Sequence, residues 1–496
     1  MTHSTIDPLR SVTIDPGTLR GTPGCYRVGR STTGRWWLVA PDGRPVLYKG
    51  CNAVIRQSVG KAGDNRYFQW VEQTYGGDHR RFTDDALAKL RAAGFNGLGG
   101  WSFLFTPREG HRERGMPFVE ILPAREIAGS EGMLLEPKRD ASGAIVGTQS
   151  SFNIDVFDPE VWNRIDQRCR NEFAELRDNP NLLGYFSDNE CTYGQPETDV
   201  AWTGKMSDLA KPPTAATLLQ RCLAQPEGKP AGNFAWNWVL ARHGGSIHQL
   251  AMDWGEEFLD ADAFRALTDQ RQRYLASDAY SADHAAFTAV FVREYTARMH
   301  QAIRRHDPNH LIMTSRCPAP PGQLVLDAFR SCFDAGLVDV LAMNSYRANF
   351  HARLEQFYGS TQMPILNGEF SWCSGHFLDW GKYLREERFD ETEMADIRQR
   401  GRMALEQAFA HPGLIGYTWF KWYSGKEFTR DAYGMATDQP FGAVVNNAGQ
   451  INTFNDPLFR LIHARLDGIA TGQIKPYSVE GLQPVKQTIN RAATST

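Results

Sequence analysis

The sequence predicts an α/β fold, a (β/α)8 TIM barrel with an N-terminal β-hairpin extension and a long insertion after its fourth strand. Three observations predict it. Short apolar runs alternate with amphipathic helical stretches along most of the 496 residues, which calls for parallel pairing. Several runs end abruptly in polar or aromatic groups, as strands do at the rim of a barrel. No GxGxxG or GxxxxGK[ST] loop opens any of the helices, which disfavours a doubly wound open sheet.

Residues 1–44 form a lead-in and hairpin. Residues 1–24 are rich in Ser, Thr, Pro and Gly without a period. Tyr26-Arg27-Val28 and Trp36-Trp37-Leu38-Val39 have strand character, and Pro41-Asp42-Gly43 is a turn, Pro presetting φ and Gly taking the positive φ. The barrel is expected over 45–470, starting with Pro45 to Asn52. Asp84 to Ala93 reads as a helix with Thr83 as N-cap and Gly94 as its stop. Phe95 to Trp101 reads as the second strand and Phe118 to Leu122 as the third. Glu136 to Gly147 is a polar loop, and Pro159 to Leu176 a helix feeding the fourth strand at Leu182.

Residues 191–257 form the insertion, a Gly-, Pro- and Trp-rich passage with Trp202, Trp236, Trp238 and Trp254. Such a segment suits a lid or binding insertion, its tryptophans serving either sugar stacking or a local core. Helices follow at about 259–276 and 283–306, the second with Phe287, Val290, Phe291, Tyr295 and Met299 on its core face. His310 to Arg316, Val338 to Tyr346, Met363 to Glu369 and Leu414 to Trp422 read as strands five to eight. A helix at 391–410 separates the last two, a closing helix spans about 456–467, and 471–496 is a tail.

Bulk composition narrows the function classes. The formal net charge is −3, from 54 basic and 57 acidic residues, so no field favours nucleic acid or an anionic membrane. No run reaches the ~20 apolar residues that cross a bilayer. Met1 to Leu19 lacks the basic start and apolar core of a secretory signal, so a cytoplasmic location is expected. Eight cysteines without CxxC or CxxH spacing suit free thiols in a reducing compartment. Cys191 and Cys373, near the acids discussed next, read as small apolar fillers. Histidine is sparse at strand ends and HxH does not occur, so no metal and no cofactor are expected.

Two strand ends carry the chemistry. Leu182 to Glu190 is an apolar run closed by Ser187-Asp188-Asn189-Glu190, and Met363 to Trp372 has the same design around Asn367-Gly368-Glu369. On one barrel rim the two glutamates would face one cavity. Hydrolysis with retention needs two carboxyl groups about 5–5.5 Å apart. Glu190 would protonate the departing oxygen and later deprotonate water, a task for a pKa raised by burial and by the charge of Glu369. Glu369 would attack the anomeric carbon. The plainer reading makes each a helix cap or half of a surface ion pair.

Around them, Asn189 would bind the hydroxyl next to the anomeric carbon, and Tyr346 would donate to Glu369. Trp419 and Trp422 would offer apolar faces to a sugar or lie in the core. Asn52, Trp101, Arg316 and Asn344 occupy other strand ends and would bind hydroxyls or be loop positions. Asp188 is either a sugar ligand or a backbone anchor, and the sequence does not choose.

Leu183-Gly184-Tyr185-Phe186-Ser187-Asp188-Asn189-Glu190, Asn367-Gly368-Glu369-Phe370 and Trp36-Trp37-Leu38-Val39-Ala40-Pro41-Asp42-Gly43 together resemble the (β/α)8 retaining glycoside hydrolases of clan A, most of all their β-agarase-like branch. The likeness covers roughly residues 35–470. It implies a strand-four acid/base and a strand-seven nucleophile, in agreement with the roles reasoned above. It also implies a hydrolase of β-galactoside-containing, agar-type oligosaccharides. With no obvious carbohydrate-binding module and no export signal, exo action on imported oligosaccharides is expected. A β-glucosidase or β-mannosidase specificity, a catalytically silent sugar-binding barrel and a metal-dependent barrel enzyme are the alternatives. An oligosaccharide partner is expected, nucleic acid and membrane are not, and a homo-oligomer is left open.

Overall fold

The structure, a computed structural model, describes residues 7–56, 66–102, 115–130, 135, 154–191, 193, 217–269, 277–318, 321–384, 387–423 and 441–480. Trp202, the polar loop 136–147, the first six residues and 481–496 lie outside the described residues.

Eleven strands occur among the described residues. β1 (Arg27–Arg30), β2 (Trp36–Val39) and β3 (Pro45–Val46) form a small antiparallel sheet. Pro41-Asp42-Gly43 turns β2 into β3, with Gly43 at φ 88°. Pro45–Val46 thus belongs to the extension, and the barrel starts at Tyr48.

The barrel strands are β4 (Tyr48–Cys51), β5 (Gly97–Leu98), β6 (Phe118–Ile121), β7 (Leu182–Phe186), β8 (Leu311–Met313), β9 (Leu341–Asn344), β10 (Ile365–Phe370) and β11 (Leu414–Trp419). All neighbouring pairs are parallel, in the order β8-β7-β6-β5-β4-β11-β10-β9. Parallel bridges Met313↔Val340 and Cys317↔Met343 join β8 to β9 and close the ring. Every residue of β7, β9, β10 and β11 is buried. Strands covered on both faces need such unbroken apolar runs.

Glycines set the barrel's inner spacing. A Cβ on Gly97 would lie 2.2 Å from the Tyr48 ring, and one on Gly416 2.5 Å from the Tyr48 Cβ. The bare backbone is what lets this ring fill the barrel.

Helix ends follow local chemistry. Helix Pro159–Glu172 starts at Asp158, whose side chain accepts from Glu160 N, with Pro159 in the first turn. Helix Glu391–Ala410 carries a capping box between Asp390 and Glu393. Helix His79–Ala92 is a correction: it starts a turn before the expected Asp84, because Asp78 accepts from Arg81 N. Thr83 lies inside it, buried, bonding the His79 carbonyl at 2.9 Å.

The insertion is helical where described, as Leu218–Leu223, Pro230–Arg242 and Ile247–Trp254. Trp254 is 2% exposed, its ring edge-on to Tyr280 and its Nε1 donating to Asp283 at 2.8 Å. Trp236 packs edge-on to Phe264 and donates to the Leu223 carbonyl. These two rings belong to a local core, Trp254 packing on helix Asp278–His306, which begins a turn earlier than the 283 expected. All eight cysteines are free, and no helix among the described residues is long and apolar enough to cross a membrane. Tyr477, in the tail, donates its N–H to buried Glu406, which also holds Arg402 and Arg465.

Candidate active site

The chain leaving β7 does not simply turn outward. Ser187 N donates to Met313 O at 3.1 Å, Arg316 N to Asp188 O at 3.2 Å and Glu190 N to Arg316 O at 2.9 Å. The post-strand segments of β7 and β8 are thereby zipped together. Within this zip Glu190 has φ 54° and Asp188 φ 153°. Non-glycine residues hold such angles only where their surroundings fix them.

Asp188 supplies that fixing. Its carboxylate accepts from Asn189 N at 2.7 Å and Arg125 N at 2.9 Å, and pairs with the Arg125 guanidinium at 3.6 Å. Only 2% of Asp188 is exposed. Its role is to anchor the backbone that presents Asn189 and Glu190. Arg125 escaped the sequence reading, since nothing near 125 in the chain points to residue 188.

Glu369 comes from β10, where the register with β9 shifts between Asn367 and Glu369 and sets Glu369 opposite Asn344. One carboxylate oxygen, Oε2, accepts from the Tyr346 hydroxyl. The other, Oε1, lies 3.2 Å from Arg316 Nη2. Asn344 lies between the two acids: its backbone pairs in register with Glu369, and its Nδ2 donates to Glu190 Oε1 at 3.1 Å and to Asn189 Oδ1 at 3.2 Å. Two acids far apart in sequence thus meet at one residue.

Burial and charge separate them electrostatically. Burial raises the Glu190 pKa, the Glu369 charge raises it further, and the result is about 7 against the opposing Asn344 bond. Burial also raises Glu369, but Arg316 and then the Tyr346 bond pull it back. Glu369 has a guanidinium and a phenol in contact, whereas Glu190 has an amide. The proton of the pair therefore belongs on Glu190 and the charge on Glu369.

The remaining expected residues divide. Asn189, Glu190, Tyr346 and Trp101 are partly exposed, while Glu369 is 5% exposed. Arg316 is fully buried, its Nη1 donating to Gly368 O at 3.0 Å and its guanidinium lying 4.2 Å from the Trp101 ring centre. Its contacts are to the carboxylate of Glu369 and to the backbone. Asn344 turns its amide to Glu190 and Asn189. Asn52 is buried and donates to Gly368 O, Thr418 Oγ1 and Trp419 O, a strut under the strand that carries Glu369. Trp419 is buried edge-on to Trp372 and Phe459. Trp422 is 2% exposed and donates to Tyr67. Both rings belong to the core.

Gly368 was visible between Asn367 and Glu369, yet its importance is spatial. A Cβ there would lie 2.2 Å from Arg316 Cδ. Among the described residues no group of three His, Cys, Asp or Glu side chains is placed to hold a metal.

No family model matches the sequence. Beta-agarase B of Vibrio sp. (strain JT0107) is 21% identical over 308 residues, 60% of this chain and 30% of that protein. Among solved structures, an exo-beta-agarase superposes with a TM-score of 0.63 at 18% identity, covering 92% of this chain and 66% of that one. A GH42 beta-galactosidase superposes with a TM-score of 0.52 at 12% identity, covering 93% and 60%. The chain therefore spans less than a third of the curated relative and about two thirds of these structures. The fold is that of the (β/α)8 glycosidases, and the chain is similar to the agarase-like branch of clan A in sequence and in structure.

Proposed function

We propose that this chain is a retaining β-glycoside hydrolase acting on β-galactoside-containing, agar-type oligosaccharides, with Glu190 as acid/base and Glu369 as nucleophile. The observation that carries this reading is the meeting of both acids at Asn344, whose amide bonds Glu190 and whose backbone pairs with Glu369, with the Arg316 guanidinium in contact with Glu369. In the first step Glu369 bonds the anomeric carbon while Glu190 gives its proton to the leaving oxygen. In the second, Glu190 takes a proton from water, which displaces Glu369 and returns the starting configuration. The Tyr346 and Arg316 contacts hold the attacking carboxylate in place, so little reorganisation is needed as charge leaves it.

Asn189 fits the sugar-hydroxyl role. Its Oδ1 accepts from Asn344, which leaves the Nδ2 donors for the hydroxyl beside the anomeric carbon. The galactoside specificity and exo action are supported by the activities that the names of the similar proteins carry.

The test is to incubate the protein with aryl β-glycosides and with agar, porphyran and mannan oligosaccharides, and to identify the first product and its anomeric configuration by NMR. A β-configured galactose-ended product is expected; an α-configured first product would remove retention. The silent sugar-binding barrel would instead show calorimetric binding with no turnover on any glycan of the panel.

A further inference from the structure

Next to Tyr346 the rim gathers two guanidiniums and an imidazole with no acid among them. Arg347 follows Tyr346 in the chain, Arg353 sits in the first turn of helix Phe350–Thr361, and His376 lies on the loop after β10. Arg347 Nη1 is 3.1 Å from His376 Nε2. A guanidinium only donates, so this nitrogen is the acceptor and Nδ1 carries the imidazole proton. Ser374 fixes the loop, donating to the Tyr346 carbonyl at 2.8 Å and accepting from His376 N at 3.3 Å.

Neither arginine has a counter-ion among the described residues. Arg353 Nη1 reaches only the neutral Gln356 Oε1, at 3.0 Å, and its Nη2 is buried with no acceptor. The electrostatic record agrees: burial lowers Arg347, burial and then Arg347 lower Arg353 to about 10, and burial, Arg347 and Arg353 lower His376 to about 4. Among the described residues no acid acts on any of the three.

The helix adds the same sign. Asn349 is its N-cap but makes no side-chain cap bond, and the first turn holds no acid. Its positive dipole end thus lies in the same turn that carries Arg353, where an arginine is unfavourable. Three other helices carry an acid at that end, Asp78, Asp158 and Asp390. The fold holds these charges together against their repulsion, and a bound anion is what would relieve it.

We propose that Arg347, Arg353, His376 and the N-terminus of helix Phe350–Thr361 form a subsite for an anionic substituent, a sulfate ester or a carboxylate, on a sugar of the bound oligosaccharide. The proposal rests on the glycosidase reading and deepens it, making the substrate a charged glycan. Planar guanidinium donors match sulfate and carboxylate oxygens in pairs, and His376 Nδ1–H adds a third donor. Since Tyr346 touches Glu369, the subsite adjoins the sugar being cleaved.

The experiment measures binding and turnover separately. Calorimetry on the full chain compares a sulfated galacto-oligosaccharide, its desulfated counterpart and a uronate-containing analogue, at low and high salt; kcat/KM is then measured on the same three. At low salt at least one anionic ligand should bind roughly tenfold or more tightly than the neutral one, about the contribution of one charge-assisted hydrogen bond, with the margin shrinking in salt. Whichever anion is preferred identifies the substituent. Arg347→Gln and Arg353→Gln, each first checked for an unchanged circular-dichroism spectrum, should collapse the anionic-to-neutral ratio. Equal binding of charged and neutral ligands, or a ratio that survives both substitutions, overturns the subsite. Charge-selective binding without hydrolysis would instead overturn the glycosidase reading and leave the subsite standing.

Discussion

Arg316 Nη2 stands 3.2 Å from Glu369 Oε1, with its guanidinium wholly out of water. A buried ion pair of this kind is costly to break, because the surviving partner stays buried without its counter-charge.

Arg316→Met should therefore lower kcat by about 100-fold or more, the scale on which removing one preorganised charge contact acts. It should also move the acid limb of the pH–rate profile to higher pH, because Glu369 loses the cation that holds its pKa down. A purely structural arginine would lower kcat without shifting that limb, so the profile decides. Arg316→Lys should recover part of the shift.

Glu190→Ala and Glu369→Ala should each lower kcat by orders of magnitude with the fold intact, and azide should partly rescue the Glu369 variant with inverted product. Full activity in either variant would end the assignment. In the native protein the protonated form of Glu190 predominates below about pH 7 and is lost above it, so kcat/KM should fall on the alkaline side of neutrality. Glu369→Gln should lower the Glu190 pKa, since it removes one of the two causes that raise it. Titration of the Glu190 carboxyl by NMR reads this directly.

Gly368→Ala tests whether the Arg316 side chain needs the bare backbone beneath it. The added Cβ would meet Arg316 Cδ at 2.2 Å, and overpacking of this kind costs about 1–3 kcal/mol. We expect a lower melting temperature together with a lower kcat, as Arg316 is pushed off Glu369. Unchanged kcat with an unchanged melting temperature would mean that the two residues do not meet this closely.

His243 links the insertion to the barrel's long helix, bonding Asp253 at 2.6 Å and Asp283 at 2.7 Å. Burial lowers its pKa, but the bonds to Asp283 and Asp253 outweigh burial and raise it. The sign follows: a raised folded-state pKa contributes stability that is full below the unfolded value of about 6.5 and is lost as pH rises through the folded value. His243→Gln should lower the melting temperature more at pH 5.5 than at pH 9. An equal loss at both would make this contact insensitive to protonation.

Much of the architecture was legible because it is written in local pattern. The apolar run Leu182 to Phe186 announces a strand buried on both faces, and a polar group directly after it marks a rim. That made Glu190 and Glu369 readable as a pair, together with Asn189 and Tyr346 at their sides. The insertion was harder: Trp236 and Trp254 are equally suited to binding and to packing, and only their contacts with Phe264 and Tyr280 place them in a core.

The sequence by itself determined the barrel, the order of its strands and the two acids at their ends, since each rests on neighbours within a few residues. Only the tertiary structure decided what the other rim residues do. Arg316 pairs with Glu369, Asp188 anchors the backbone at Asn189 and Arg125, Asn344 bonds Glu190 and Asn189, and Trp419 and Trp422 are core rings. Those roles depend on distances across the barrel, and such distances are fixed by register and packing among residues that are far apart along the chain.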